Sequence, residues 1–200
     1  IKEDSILCGP LEPTNEPYAL AKIAGVKLCE AYFNQYSDNF ISLMPNNLYG
    51  PNDNFDPNTS HVIPALIQKF HKANINSSRN VNIWGTGRPI REFLHVDDLA
   101  EAIIFLLENQ VAKKIYDRGI SHINIGSGVE ISIKDLALLI KKVTGFSGQL
   151  SFDKSKPDGT PRKFLDSKII KSFGWSPKIT LEAGINNLYS WYLHKVSSKI

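Results

Sequence analysis

The sequence lacks any long apolar run, since no stretch approaches the roughly 18–20 residues that a membrane-spanning helix needs. It also lacks a dense run of lysine and arginine, although its net charge is +3. The first absence argues against a membrane partner, and the second argues against a nucleic-acid groove. A mildly basic chain of this kind suits an anionic small molecule.

Cysteine is scarce as well. Cys8 and Cys29 are the two thiols among 200 residues, too few for a disulfide framework in a chain of this length. We therefore expect two reduced thiols in a cytoplasmic protein, and no metal site. Hydrophobic residues make up 42% of the chain, which is enough for one core or for a core with a smaller lobe.

Helix and strand patterns alternate along most of the sequence. Helices are predicted at 18–36, 61–73, 99–109, 133–145, 167–174 and 181–195, and strands at 40–45, 81–85, 91–96, 122–126 and 150–153. The alternation predicts an α/β fold with a largely parallel sheet. The segment 46–60, rich in Asn, Asp, Pro and Gly, is predicted to be a long loop, and loops of that length are often functional.

Several helices have a residue before them that can act as an N-cap. The predicted caps are Thr14 or Asn15, Asp97 or Asp98, Ser132, Asp166 and Thr180. A parallel α/β sheet binds its ligands at the carboxyl ends of its strands, here "MPNNLYG" and "HVDD". The G-x-G of "WGTGRPIREF" joins two strands, so it is interpreted as a turn and not as a phosphate-binding loop.

The stretch "EPYALAK" places Tyr18 and Lys22 four residues apart, on one face of a helix. A free tyrosine loses its proton near pH 10, and a neighbouring ammonium lowers that value. Such a tyrosine can give a proton to a carbonyl oxygen while a hydride arrives at the carbon. Because chance often produces Y-x-x-x-K, the pair alone is weak evidence, and the α/β context has to support it.

Several longer stretches of the sequence are typical of one known protein family. "EPTNEPYALAKIAGVKLCEAY", "MPNNLYGPNDNF", "SHVIPAL", "REFLHVDDLAEAI" and "SKPDGTPRK" together resemble the GDP-L-fucose synthase family. That family belongs to the extended short-chain dehydrogenase/reductase superfamily, and the resemblance runs nearly from end to end. It implies the C-terminal part of a Rossmann-type doubly wound parallel sheet, with a smaller α/β lobe that binds the substrate.

The resemblance also implies a reaction. Its substrate would be GDP-4-keto-6-deoxy-D-mannose, epimerised at C3 and C5 and then reduced at C4 by NADPH to give GDP-L-fucose. Tyr18 would donate the proton in the reduction, and Lys22 would support it electrostatically and bind the cofactor. The superfamily typically forms homodimers.

Further residues match the motifs of this family. His61 matches the acid of the epimerisation, a role that suits a side chain titrating near neutrality. Both Tyr18 and His61 would also contact the cofactor, as would the strand end formed by Pro45, Asn46, Asn47 and Leu48. The nucleotide sugar would contact Lys69, Trp84, Arg91 and Asp158. Taken singly, these four also fit a solvated helix face, a core indole, a surface ion pair and a turn. His95 is interpreted as structural.

The family is longer at its N-terminus. The resemblance implies that the glycine-rich dinucleotide loop, a catalytic serine and the cysteine base of the epimerisation precede residue 1, so neither Cys8 nor Cys29 takes that role. We therefore expect a C-terminal part of the enzyme, poorly folded or inactive alone. Residues 1–60 are expected in the Rossmann domain and 61–200 mainly in the sugar-binding lobe, with 91–125 returning to the sheet.

Two other readings stay open at this point. One is a nucleotide-sugar 4-epimerase or 4,6-dehydratase of the same superfamily, which shares Y-x-x-x-K and "HVDD" but is not expected to carry "SHVIPAL". The other is a non-catalytic protein that binds a nucleotide as a sensor or scaffold. Such a protein would not need Tyr18, Lys22 and His61 together.

Overall fold

The computed structural model describes residues 1–56, 59–109 and 112–197. The helices are α1 (Glu16–Tyr36), α2 (Val62–Ile75), α3 (Val96–Glu108), α4 (Ala112–Tyr116), α5 (Ile133–Thr144), α6 (Lys168–Ser172) and α7 (Leu181–Ser197). The strands are β1 (Leu43–Pro45), β2 (Asn47–Tyr49), β3 (Asn80–Trp84), β4 (Ile90–His95), β5 (Ile123–Ile125), β6 (Glu130–Ser132) and β7 (Gln149–Asp153). Helices and strands alternate, which confirms the predicted α/β class.

The strands form three small sheets in which parallel pairing dominates. β1 pairs with β5, β2 with β4, and β3 with β7, all in parallel. Strand β6 pairs antiparallel with the first half of β4. The chain therefore passes from one sheet to another at Asn46, between β1 and β2, which puts the carboxyl end of β1 beside the start of β2.

Two hydrophobic clusters support these sheets. The larger packs α2, α5 and α7 around β3 and β7, with Ile67, Phe70 and Ile140 completely buried at its centre. The smaller packs α3 and α6 around β5 and includes Leu106 and Trp175. Strand β4 contributes to both, because Phe93 faces the first cluster and Leu94 the second. The division into two lobes at residue 60 remains a prediction.

The segment 46–60 was predicted to be loop throughout, and this is wrong for its first part. Residues Asn47–Tyr49 form β2, because Leu48 lies opposite Leu94 in a parallel ladder with β4. A three-residue strand that begins with asparagine has little local signal, so its pairing partner decides its conformation. Strand β6 was not predicted for the same reason, and the five-residue helix α4 was not predicted either.

The cap predictions have mixed outcomes. Ser132 Oγ accepts from the Asp135 N–H at 3.0 Å, and Thr180 Oγ1 accepts from the Ala183 N–H at 3.3 Å, so both are confirmed. The cap of α3 is His95, not Asp97 or Asp98, because the helix begins at Val96 and the His95 ring accepts from the Asp97 N–H.

The remaining two cap predictions, at α1 and α6, also have different outcomes. At α1 the N-cap is Asn15, but neither its side chain nor that of Thr14 makes a capping bond to the helix. At α6 the N-cap is Ser167, one residue after Asp166, although the Asp166 carboxylate still accepts from the Lys168 N–H at 3.0 Å. The predicted cap position is therefore confirmed at α1, although its capping bond is missing, and it is wrong by one residue at α6.

Candidate active site

A cleft of about 850 Å³ opens where β1 ends and β2 begins. It is lined by every residue predicted for catalysis or cofactor binding: Tyr18, Lys22, Pro45, Asn46, Asn47, Leu48 and His61. Helix α1 supplies the first two, the strand junction supplies the next four, and the residue before α2 supplies the last. Three separate chain segments therefore bring these side chains to one concave surface.

The Tyr18 and Lys22 side chains occupy successive turns of α1. Pro17 fits the first turn, where no intrahelical N–H bond is lost, and the helix continues without a break to Tyr36. The Lys22 Nζ lies 5.4 Å from the centroid of the Tyr18 ring, within the range of a cation–π contact. With 61% of Tyr18 exposed, its hydroxyl can reach a ligand in the cleft.

Asn46 has an unusual environment. It is buried, its main-chain N–H donates to Ile125 O at 3.1 Å, and neither atom of its side-chain amide has a hydrogen-bond partner among the described residues. An unpaired buried amide is costly, so such a group in a cleft is suited to pair with a ligand. Its neighbour Asn47 is already occupied, since its Nδ2 donates to Glu92 O at 2.8 Å.

His61 is the N-cap residue of α2, but its side chain makes no capping bond. The exposed imidazole therefore faces the cleft without a fixed partner in the helix. It also borders a second cavity of about 200 Å³, which shares Asn47 and Leu48 with the cleft and is lined by Arg91 as well. Of the predicted catalytic residues, His61 shares this second cavity with Arg91.

The Arg91 guanidinium is partly committed to main-chain carbonyl groups. Its Nη1 donates to Ile90 O at 2.8 Å and to Thr160 O at 2.6 Å. Burial lowers the pKa of Arg91, although an arginine of such basicity keeps its charge at neutral pH. The other guanidinium nitrogens can bind an anion while Nη1 holds residue 160.

Lys69 and Trp84 lie together, away from the cleft, on a shallow depression of about 300 Å³. Trp84 is 67% exposed, which excludes the core interpretation. Its ring has the Lys69 Nζ at 5.6 Å and the Lys156 Nζ at 5.6 Å. Burial lowers the pKa of Lys69, whose Nζ also donates to Asn82 O. An exposed indole between two ammonium groups suits a planar, anionic ligand.

Asp158 stabilises a turn in this structure. Its carboxylate accepts from the Thr86 N–H at 2.8 Å and from the Thr86 hydroxyl at 2.6 Å, and these bonds lower the pKa of Asp158. Gly85 and Gly87 have φ values of +78° and +75°, so the G-x-G segment is the turn that was predicted. A ligand contact of Asp158 remains a prediction.

Lys163 also lines the cleft, and the sequence analysis did not single it out. It belongs to "KPDGTPRK", which contains three basic residues, and local sequence does not indicate which of them faces a ligand.

Across the described ranges, no group of three or more His, Cys, Asp or Glu residues is arranged to hold a metal ion. No helix in those ranges has the length and apolar content to cross a membrane.

Comparison with known proteins gives consistent matches. Residues 1–126 match the NAD dependent epimerase/dehydratase family. The chain is 53% identical over 199 residues to GDP-L-fucose synthase 1 of Arabidopsis thaliana, covering 100% of this chain and 59% of that protein. It is 53% identical over 193 residues to GDP-L-fucose synthase of Escherichia coli (strain K12), covering 96% of this chain and 60% of that protein. It thus spans about three fifths of the length of these relatives.

Solved structures with the same fold include nucleotide-sugar enzymes. A GDP-L-fucose synthetase from Naegleria fowleri bound to NADP matches with a TM-score of 0.85 at 27% identity, over 99% of this chain and 62% of that one. A GDP-D-glycero-L-gluco-heptose synthase from Campylobacter jejuni, solved in the presence of NADPH, matches with a TM-score of 0.88 at 38% identity, over 96% of this chain and 65% of that one.

Proposed function

Because this chain belongs to the NAD dependent epimerase/dehydratase family, we propose that it carries the active-site cleft of a GDP-L-fucose synthase. That enzyme converts GDP-4-keto-6-deoxy-D-mannose into GDP-L-fucose and consumes NADPH. The observation that carries the proposal is the convergence of Tyr18, Lys22 and His61 on one cleft. A reductase needs the first two residues, and the third adds an acid that reduction alone does not require.

The residues at the strand junction fit a nicotinamide cofactor. The Asn46 amide is buried and has both a donor and an acceptor without partners among the described residues, which matches the donor and acceptor of a carboxamide. Pro45 and Leu48 give the apolar surface that a flat ring requires. When bound, NADPH supplies the hydride. The solved relative from Naegleria fowleri is described as bound to NADP.

For the reduction, Tyr18 holds the proton that the C4 oxygen receives as its carbon is reduced. The Lys22 ammonium lies 5.4 Å from the centroid of the Tyr18 ring, and its positive charge stabilises the phenolate that remains. Lys22 also donates to the ribose of the cofactor. The exposed position of both side chains on α1 leaves them free to meet ligands in the cleft.

For the epimerisation, the 4-keto group acidifies the protons on the adjacent carbons C3 and C5. A basic group of the full-length enzyme takes a proton from one face of the carbon and leaves an enolate. His61 then gives a proton to the opposite face, so the configuration inverts. An imidazole suits this step because its ordinary pKa lies near the working pH. The ring of His61 has the required freedom, since it makes no capping bond to α2.

The nucleotide end of the substrate extends towards the other predicted contacts. Arg91, at the second cavity, binds a phosphate with the nitrogens that Thr160 does not occupy. Trp84 stacks against a planar group, and Lys69 beside it adds positive charge. Asp158 contributes through the Gly85–Gly87 turn that it holds, next to Trp84. We further propose a cytoplasmic homodimer whose residues 61–200 mainly bind the sugar nucleotide.

The proposal is tested by incubating the full-length gene product with GDP-4-keto-6-deoxy-D-mannose and NADPH. We expect one NADPH to be oxidised for each GDP-L-fucose formed, as identified by chromatography and NMR. A GDP-6-deoxyhexose that keeps the D configuration would contradict the epimerase part. Absence of NADPH oxidation would contradict the whole proposal. The protein would then be assayed as a 4-epimerase, with an intact nucleotide sugar as substrate.

A further inference from the structure

We propose that Glu92 is a positioning residue for the sugar-nucleotide side of the cleft. Its buried carboxylate fixes the segment 158–166, which we call the strap, against β4. The strap carries Lys163 to the cleft and residue 160 to Arg91. This inference rests on the proposed function and adds a residue that makes no contact with the ligand itself.

The strap is attached to β4 and to its neighbouring segments at several points. At its start, the Asp158 carboxylate holds Thr86. In its middle, Ile90 N–H donates to Pro161 O at 2.8 Å and the Lys163 N–H donates to Ile90 O at 3.1 Å, so the strap continues the ladder beside β4. Arg162 also forms a bidentate ion pair with Glu130 of β6, in which its Nε donates to Oε1 at 2.6 Å and its Nη2 donates to Oε2 at 2.8 Å.

Glu92 provides the attachment at the far end. Its Oε2 accepts from the Leu165 N–H at 3.0 Å, and its Oε1 accepts from the Gly128 N–H at 2.7 Å. The side chain is completely buried. A carboxylate removed from water is stable only where donors replace its hydration, and here those donors are main-chain N–H groups of the strap and of the turn after β5.

Space for this carboxylate depends on a glycine. A side chain at Gly126 would begin 2.4 Å from Glu92 Oε1, closer than any real Cβ contact. The turn after β5 therefore passes directly over the carboxylate. Glu92 also touches the cleft through its main chain, since its carbonyl oxygen accepts from Asn47 Nδ2. One residue thus connects the strap, the turn and the strand junction.

The substitution Glu92→Gln separates positioning from simple filling of space. Glutamine has the same shape, but one oxygen becomes an NH₂ group that faces a main-chain N–H, so one end of the bridge is lost. The oxygen that remains is uncharged, so the bond at the other end is weakened as well. The main-chain bond to Asn47 is retained. Lys163 is then held less firmly at the cleft, while Tyr18, Lys22 and Asn46 keep their places.

Asp98 offers a matched control. It is 2% exposed, and its carboxylate likewise accepts from two main-chain N–H groups, those of Lys178 and Ile179, at 2.9 and 3.1 Å. These partners lie between α6 and α7, outside the strap. Asp98→Asn removes the same kind of bond from a different place, so it reproduces the loss of stability without moving the strap.

The experiment compares the full-length wild type, Glu92→Gln and Asp98→Asn. For Glu92→Gln we expect the KM for the keto sugar to rise about tenfold, as the loss of one charge-assisted hydrogen bond predicts. The kcat and the KM for NADPH should stay within about twofold, since the cofactor contacts are unchanged. Hydrogen exchange should accelerate in 158–166 and not in α5. In Asp98→Asn, both KM values and the strap exchange should match the wild type.

Coupling to Lys163 is tested with a double variant. If Glu92 acts through the strap, Glu92→Gln should raise the KM no further once Lys163→Met is present. Independent, multiplying effects of the two substitutions would overturn the inference. An unchanged strap exchange in Glu92→Gln, or an equal rise in KM in Asp98→Asn, would overturn it as well. Failure of wild-type turnover would contradict the proposed function, and the exchange measurement would still decide whether Glu92 holds the strap.

Discussion

Helices α1 and α2 both contribute to the candidate active site, but they differ sharply in how they pack. Helix α1 has 21 residues, of which Val26 is the one that is buried. Helix α2 has 14 residues, of which six are buried, including Ile67 and Phe70. The proposed catalytic residues Tyr18 and Lys22 lie on α1, which contributes little to the described core. Helix α2 is a core helix, and it has one catalytic candidate at its N-terminus. Activity and stability should therefore respond to different helices.

The largest effect should come from Tyr18→Phe on α1. Removing the hydroxyl removes the proton donor, so kcat should fall about 10²–10⁴-fold, the usual contribution of general acid catalysis. The melting temperature should hardly change, because 61% of the side chain is exposed. Steady-state kinetics and a thermal melt measure both quantities.

Tyr32→Phe is the control, since Tyr32 lies on the same helix, is 41% exposed and does not line the cleft. It should leave kcat unchanged. Equal losses in the two variants would remove the distinction between a catalytic and an ordinary tyrosine on α1.

Phe70→Ala in α2 should show the reverse pattern. Phe70 is completely buried in the larger cluster and packs 5.6 Å from the Phe146 ring, centroid to centroid. Its removal should lower the free energy of unfolding by about 3–5 kcal/mol. Leu20→Ala on α1, where the leucine is 52% exposed, should cost less than about 0.5 kcal/mol. Chemical denaturation of both variants gives the comparison, and similar costs would contradict the contrast between the helices.

His61→Asn tests the catalytic candidate at the N-terminus of α2. We expect formation of GDP-L-fucose to fall about 10²-fold, because the acid of the epimerisation is lost. Direct reduction of the ketone should continue in part, since Tyr18 and Lys22 remain. Product analysis separates the two reactions. If both rates fell by the same factor, His61 would be serving the fold or the cofactor and not the epimerisation.

The smallest effect concerns the helix caps. Ser132→Ala removes the bond to the Asp135 N–H at the start of α5 and should cost about 1 kcal/mol of stability. Asn15→Ala at the start of α1 should cost far less, because the Asn15 side chain makes no capping bond. Urea denaturation of the two variants measures the difference, and a larger loss at Asn15 would show that α1 is held more firmly than its packing indicates.

The sequence predicted those parts of the fold that depend on local pattern. The spacing of Leu136, Ala137 and Ile140 predicts α5, and Ser132 and Gly145 predict its ends, as observed. Strand β2 could not be predicted in the same way, since its three residues become a strand only through β4. The cap of α3 was missed because histidine is an uncommon cap and the adjacent Asp97 and Asp98 are common ones.

The residues of the candidate site also fall into those that local motifs predicted and those that depend on contacts between distant segments. Tyr18, Lys22 and His61 were recognisable from motifs, and the structure brings all three to one cleft. Lys163 and Glu92 were missed because their roles depend on a segment that returns to β4 from more than 60 residues away. Nothing in the sequence around Glu92 indicates that its carboxylate is buried, since a glutamate in "REFLHV" fits equally well on an exposed strand face.

The central claim is that this cleft belongs to an enzyme that performs both epimerisation and reduction, and solvent isotope incorporation tests most directly whether both reactions occur. The full-length gene product would convert GDP-4-keto-6-deoxy-D-mannose with NADPH in D₂O, and the product would be examined by NMR and mass spectrometry. We predict GDP-L-fucose with deuterium at both C3 and C5, because each inverted centre takes its new proton from solvent through the enzyme. Oxidation of NADPH with no deuterium at either carbon would contradict the claim.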